Sequence, residues 1–238
     1  PPLPGCRGGI RVLYQSAWKY YNPGQVHAEP GIINRLAEFL PSDKGGQGLL
    51  VTTEGFTRRG MTEKILELLR ARNMDTIDDV HPNPTIEAIE NYRDRYFGKR
   101  IDFLVAVGGG SVLDTAKALS FLLSLDDINF SLYEALSENL SLPESSPLHL
   151  VTLPTTAGTG SEMTPFATVW DGKNNKKYSL ARSDLFPVFA LLDAELSLTL
   201  PHEITVIGGL DALSHALESV WNVNAGPVSI AMAGRRSP

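Results

Sequence analysis

The sequence predicts an α/β fold, a Rossmann-like and mostly parallel sheet covered by helices, followed by the start of an all-helical region. Three observations carry this expectation. Segments such as "IDFLVAVGGGS" (101–111) and "LHLVTLP" (148–154) are nearly unbroken apolar runs, as strands buried on both faces are. They alternate with amphipathic helical segments, the pattern of a parallel sheet with crossover helices. Two of the strands run directly into glycine-rich turns. The expected boundary puts an α/β domain at 1–200 and the beginning of a helical domain at 201–238.

The elements follow in order. "IRVLYQSAWKYY" (10–21) reads as a short strand or ribbon, turned by "NPG" at 22–24. "PGIINRLAEFL" (30–40) fits a helix with Pro30 near its first turn and Ile33, Leu36, Ala37 and Leu40 on one face. "GLLVTTEG" (48–55) is a strand with a turn after it, and "MTEKILELLRAR" (61–72) is an amphipathic helix. Pro84 opens a helix carrying Ile86, Ile89 and Tyr96. The strand at 101–111 is followed by a helix at 112–124, and the polar stretch 126–147 holds a short helix from Ser131 to Glu138. The 148–154 strand leads into "TTAGTGSE", "VFALLDAEL" (188–196) is a further short strand, and "LPHEI" begins the helical tail.

Composition bounds the chemistry. The 238 residues are 42% apolar and 20% charged with a formal charge of −6, which gives no positive field for nucleic acid or an anionic membrane. The single cysteine, Cys6, excludes an intrachain disulfide and a thiolate metal cluster. "PPLPGCRGG" lacks a signal-peptide core and no stretch has the length of a membrane span, so a cytoplasmic protein is expected.

Gly108, Gly109, Gly110 and Ser111 lie where a strand meets a helix. Glycines there permit a tight turn and close approach to a ligand, and the helix N-terminus beyond them suits a diphosphate. A plain strand-to-helix turn fits the same residues, and Asp114 and Lys117, three apart, fit a helix-surface pair. The second segment, "PTTAGTGSE" (154–162), again follows a strand. Thr155, Thr156, Thr159 and Ser161 can hydrogen-bond phosphate oxygens or a nicotinamide amide, or form a serine- and threonine-rich loop without a ligand. Two such loops at the ends of parallel strands favour a crevice for a phosphorylated ligand. Ser111 is followed by Val112 and not by the lysine pattern of a P-loop, and no GxSxG elbow occurs, so a nucleotide triphosphatase and a serine hydrolase are disfavoured.

In "VIGGLDALSHALESVW" (206–221), Leu210, Leu213, Leu217 and Val220 are expected to form a packing stripe. Asp211 and His215 lie one helical turn apart, and both can point at one ion; divalent iron and zinc each accept such an oxygen–nitrogen set. A surface pair of His215 with Asp211 or Glu218 is the plainer alternative. His27, His81, His149 and His202 are the other histidines, and nothing in the sequence places them at the same point.

Taken together, "AVGGGSVLDTAKAL", "LPTTAGTGSEMTPFATVWD" and "GGLDALSHALESVW" resemble the iron-containing (group III) alcohol dehydrogenase family, a sister group of glycerol dehydrogenase and dehydroquinate synthase. Within it, "TPFATVWDGKNNKKYSL" (164–180) is most similar to phosphonoacetaldehyde reductases, also called hydroxyethylphosphonate dehydrogenases. The resemblance runs from about residue 11 to 230 and implies an N-terminal dinucleotide-binding domain with a helical metal-binding domain after it. It further implies that Gly108–Ser111 bind the cofactor diphosphate and that the 155–162 loop lines the nicotinamide side. Asp114 falls within the same cofactor motif. Asp211 and His215 would supply two ligands to Fe2+, or to Zn2+ in its place. Two further ligands of the family are histidines well beyond Asp211, and "SIAMAGRRSP" (229–238) does not contain them. The helical domain is therefore expected to be truncated and the metal site half complete.

The function implied is hydride transfer between NAD or NADP and a small aldehyde or primary alcohol, with phosphonoacetaldehyde and 2-hydroxyethylphosphonate as the specific pair. The metal would polarise the carbonyl, and no catalytic side-chain nucleophile is expected. Thr53 stands where NAD-preferring members resemble one another in having an aspartate; a neutral residue there admits the 2′-phosphate of NADP, while Glu54 beside it leaves NAD open. Lys173, Lys176, Lys177 and Arg182 offer cationic donors for a phosphonate or form a solvated turn, and Lys177 can equally reach the cofactor ribose or phosphate. His81, Asn83 and Thr85 fit a loop near the cofactor. Expected partners are the small substrate, with room for a homodimer. The competing reading is a non-catalytic dinucleotide-binding fragment or partner subunit.

Overall fold

The computed structural model describes residues 18–42 and 46–234. Six parallel strands form the central sheet: β1 (Gln25–Ala28), β2 (Gln47–Val51), β3 (Asn73–Ile77), β4 (Ile101–Gly108), β5 (His149–Pro154) and β8 (Phe189–Leu192). Their order is β1-β8-β5-β4-β2-β3, and every pairing is parallel. An antiparallel hairpin, β6 (Phe166–Asp171) with β7 (Lys176–Ala181), stands outside the sheet. The helices are α1 (Glu54–Arg58), α2 (Met61–Leu68), α3 (Ile86–Tyr96), α4 (Gly110–Leu122), α5 (Leu132–Ser137), α6 (His202–Trp221) and α7 (Pro227–Ala233). The mostly parallel α/β class is as expected.

Alternate residues of the strands feed two cores, as the period of a strand requires. Leu50, Phe103, Val105, Val107 and Leu153 face α1, α2 and the 3-10 turn Ile32–Phe39. Leu49, Val51, Leu104 and Ala106 face α3 and α4. The hairpin and α5 then cover the outer side of α3 and α4, burying Ala167, Val169 and Leu180 against Phe121 and Leu122. α4 is thus enclosed on both sides. Each fully buried Leu or Phe of this kind contributes roughly 1.5–3 kcal/mol, so α4 is a firmly held mount for whatever its N-terminus carries.

Some boundaries differ from expectation. Most of the 10–21 strand lies outside the described residues, and residues 18–24 carry no regular element. The 30–40 segment is a 3-10 turn entered through Gly31 at φ 75°, with Asp193 accepting from the Gly31 and Ile33 N–H groups at 2.9 and 3.2 Å. α2 ends at Leu68 and not near Arg72, because the chain must turn into β3. The Ser131–Glu138 helix is found at Leu132–Ser137, capped by the Ser131 side chain. α3 starts at Ile86, with Thr85 as its cap, accepting from the Ala88 N–H at 3.1 Å.

Sheet order creates the crevice. The chain steps from β2 outward to β3, returns to the other side of β2 as β4, and continues that way through β5 and β8. The reversal lies between β2 and β4, and ligands of open parallel sheets bind beyond the strand C-termini at such a point. Thr52, fully buried, donates its hydroxyl to the Val107 carbonyl at 2.8 Å and ties the two strand ends together there.

Candidate functional site

The first glycine-rich turn sits on this reversal. β4 ends at Gly108, Gly109 stands as the helix cap in extended backbone (φ −78°, ψ −177°), and α4 begins at Gly110 without a capping side chain. None of these three glycines has a left-handed φ among the described residues, so their role is close approach. A Cβ on Gly109 would lie 3.2 Å from Thr156 Oγ1, and one on Gly110 would lie 3.0 Å from Thr159 Cγ2. The Thr155 N–H donates to the Gly108 carbonyl at 3.0 Å. The two glycine-rich segments therefore press against one another, and Thr155, Thr156 and Thr159 are brought to Gly108–Gly110. Asn83, at φ 56°, joins them by donating its N–H to Ser111 Oγ at 3.3 Å. Thr53, just beyond β2, caps α1 by accepting from the Phe56 N–H at 3.3 Å, which sets it at the edge of the crevice.

Ser161 and Asp114 are placed differently. Ser161 is nearly fully buried, and its hydroxyl donates to Asp114 Oδ1 at 2.6 Å. Asp114 Oδ2 accepts the Thr168 N–H at 2.9 Å, and Lys117 Nζ lies 3.1 Å from Oδ1. The Asp114–Lys117 pair, for which a helix-surface pairing was the alternative to a cofactor role, is buried: Lys117 is fully enclosed, and it donates to the carbonyls of Ser161 and Phe166 as well. Desolvation pushes the Lys117 ammonium below its ordinary pKa, opposed by the Asp114 carboxylate. Sequence reasoning missed this because a charge pair three apart looks the same exposed or buried. The available signal was the apolar run on all sides of α4, which marks a buried helix.

The helix α6 crosses the second segment at a contact only glycines allow. Gly158 has φ 145°, and a Cβ there would fall 2.5 Å from the Gly208 carbonyl oxygen; one on Gly208 would fall 2.1 Å from that of Ala157. Asp211 and His215 follow this seat on α6. His215 Nε2 is 3.8 Å from Asp211 Oδ1, both side chains being about half exposed at 52% and 40%. His215 borders a cleft of about 730 Å³ together with Thr159, Thr164, Phe166 and Thr168. The carboxylate and imidazole match the donor chemistry of divalent iron or zinc and present two of the positions such an ion needs. Glu218 does not pair with His215; it accepts from the Ser214 hydroxyl at 3.1 Å.

Other expectations are corrected. Leu210, Leu213, Leu217 and Val220 do not form a buried stripe: they are 62%, 56%, 45% and 46% exposed, and α6 buries no residue. Among the described residues no layer covers that face. His149 instead bonds the Phe39 carbonyl at 3.0 Å, and His27 packs edge-on to Phe39, so both belong to an aromatic cluster at the sheet. Among the described residues no group of three or more His, Cys, Asp or Glu converges to hold a metal. The four cations at 173–182 do not converge either. Lys176 lies over the Tyr178 ring, and Arg182 bonds Asp184 and the Pro143 carbonyl. Lys173 borders a separate cavity beside Tyr133 and Trp170. Lys177 is opposed to Trp170 in the hairpin and so shares the open face of Phe166 and Thr168.

No helix among the described residues is long and apolar enough to cross a membrane. Comparison with known proteins adds the family context. The chain is 32% identical over 229 residues to the choline dehydrogenase of Bacillus subtilis strain 168, covering 94% of this chain and 56% of that one. It is also 32% identical to the sulfoacetaldehyde reductase of Bilophila wadsworthia, covering 91% and 55% respectively. Among solved structures, the sulfoacetaldehyde reductase from Bifidobacterium kashiwanohense in complex with NAD+ superposes with a TM-score of 0.82 at 28% identity, over 92% of this chain and 57% of that one. The chain thus spans about half the length of the relatives it matches. The family model for iron-containing alcohol dehydrogenase matches residues 23–194, and with the sheet, both loops and the relatives agreeing, the chain belongs to the iron-containing alcohol dehydrogenase family.

Proposed function

We propose that the chain supplies the dinucleotide crevice and two metal-holding side chains of an oxidoreductase that transfers hydride between NAD(P)H and a small aldehyde. The carrying observation is the Gly158–Gly208 contact, which seats Asp211 and His215 over the loop that the first glycine turn abuts. In this reading Gly108–Ser111 receive the diphosphate, with Asn83 steadying Ser111. Thr53 meets the adenosine ribose. The nicotinamide lies along Thr155, Thr156 and Thr159, towards α6. Lys177 reaches the cofactor ribose or the charged end of the substrate from the hairpin face. A divalent ion, Fe2+ or Zn2+, held by Asp211 and His215 with further donors would supply Lewis-acid polarisation of the carbonyl. The chain's residues orient the two reactants and Phe166, half exposed at 50%, walls the cleft against water.

For substrate, we assign a two-carbon aldehyde bearing an anionic group, phosphonoacetaldehyde giving 2-hydroxyethylphosphonate. The 164–180 segment and the open-face Lys177 favour it, as does a relative named for sulfoacetaldehyde, the sulfonate counterpart. Relatives named throughout as dehydrogenases or reductases favour the enzyme over a non-catalytic partner subunit. The test is aldehyde-dependent oxidation of NADH and NADPH with added Fe2+ or Zn2+, across phosphonoacetaldehyde, sulfoacetaldehyde, butanal and betaine aldehyde. Turnover fastest with the phosphonate is expected. Turnover fastest with butanal or betaine aldehyde removes the substrate assignment, and dinucleotide binding with no turnover on any aldehyde supports the partner-subunit reading instead.

A further inference from the structure

A fully enclosed ammonium, that of Lys117, sits beside the crevice. Lys117, on the second turn of α4, gathers the Ser161 carbonyl at 3.0 Å, the Thr164 hydroxyl at 3.3 Å and the Phe166 carbonyl. Its partner Asp114 takes the Ser161 hydroxyl and the Thr168 N–H. Every one of these contacts runs from α4, which carries Gly109–Ser111 at its head, to residues 161–168, which turn the second loop into β6. A buried ion pair recovers its desolvation cost only when hydrogen bonds complete it, and replacing it by apolar residues is often neutral for stability. Its presence here therefore asks for a role other than stability.

We propose that Asp114 and Lys117 are positioning residues: a buried clamp that fixes the distance between the diphosphate turn and the cleft wall of Thr159, Phe166 and Thr168 facing His215. This rests on reading the crevice as a dinucleotide site. In that reading one end of the cofactor is held by the head of α4 and the reacting end by the clamped segment, so the clamp sets where the nicotinamide lies relative to α6. Loss of the clamp should leave the diphosphate end intact and misplace the other.

The test uses two ligands on the 238-residue chain: the tighter-binding of NADH and NADPH, and its adenosine diphosphate half, ADP or 2′-phospho-ADP, measured by calorimetry. Lys117→Met, with far-ultraviolet circular dichroism unchanged, is expected to weaken the whole dinucleotide about tenfold or more, the equivalent of roughly one lost hydrogen bond, while the half-ligand stays within about twofold. Lys117→Gln, which keeps a donor amide, should recover part of the loss. If Lys117→Met does not fold, Lys117→Gln is read by the same comparison. Equal losses for both ligands, no loss for either, or failure of both variants to fold overturns the clamp. Wild-type protein that binds neither ligand sinks the functional reading itself, a result distinct from the other three.

Discussion

In the proposed reading Thr53 meets the adenosine ribose, which makes it the position where the crevice would tell the two dinucleotides apart. Introducing Thr53→Asp adds a carboxylate beside Glu54, and the affinity for NADPH should fall by about tenfold relative to NADH, the order of a like-charge contact near a wet surface. A calorimetric ratio unchanged by the substitution places the ribose elsewhere. His149 gives a pH prediction. Burial lowers its pKa below the ordinary 6.5, against the weaker effect of its bond to the Phe39 carbonyl. Below 6.5 the unfolded chain takes up a proton that the folded chain does not, so stability falls as pH drops through that value and levels off once the folded group titrates. The melting temperature of wild type should therefore decline more steeply than that of His149→Gln between neutral and mildly acidic pH; parallel profiles contradict the assignment. The glycine and threonine positions were legible in sequence because strand-glycine-helix spacing exposes them. The true surroundings of Asp114 and Lys117 were not, because they depend on a hairpin packing over α4.

Elements were legible in proportion to their burial. β4 and β5, covered on both faces, stood out as apolar runs. β3 was missed because it is an edge strand whose Asn73, Asp75 and Thr76 carry no apolar pattern. The hairpin was missed as a pair, although Ala167, Val169 and Leu180 alternate with exposed or partly exposed neighbours as a half-buried ribbon must. α3 offers a direct check on local sequence logic: Thr85→Ala removes its cap and should cost about 1 kcal/mol in urea unfolding. α6 offers the opposite case, a helix predicted correctly whose apolar stripe is not buried. Its seat is the glycine contact, so Gly208→Val should speed hydrogen exchange of the 203–221 amides by roughly tenfold or more while the β4 and β5 amides stay protected. Unchanged exchange in α6 would show that the contact does not hold the helix.

At the level of the whole chain, strand order puts the first glycine turn at the reversal of the sheet, and the second glycine-rich segment packs against it. The family resemblance visible in the sequence is borne out by the match over 23–194 and by the fold of the NAD+-bound relative. Asp211 and His215 lie one turn apart on α6, as their spacing predicted, and His215 borders the cleft lined by Thr159 and Thr168. What spacing did not predict is the contact that brings them there, since Gly158 and Gly208 are fifty residues apart in sequence and meet only in the folded chain. In the proposed reading the reversal between β2 and β4 is a dinucleotide site built by Gly108–Ser111. Calorimetric titration of NADH and NADPH into wild type and Gly110→Leu is the test. One dinucleotide should bind wild type with one-to-one stoichiometry and lose measurable binding in the variant, whose side chain would fill the space against Thr159. Absence of binding to wild type, or binding indifferent to Gly110→Leu, would contradict it.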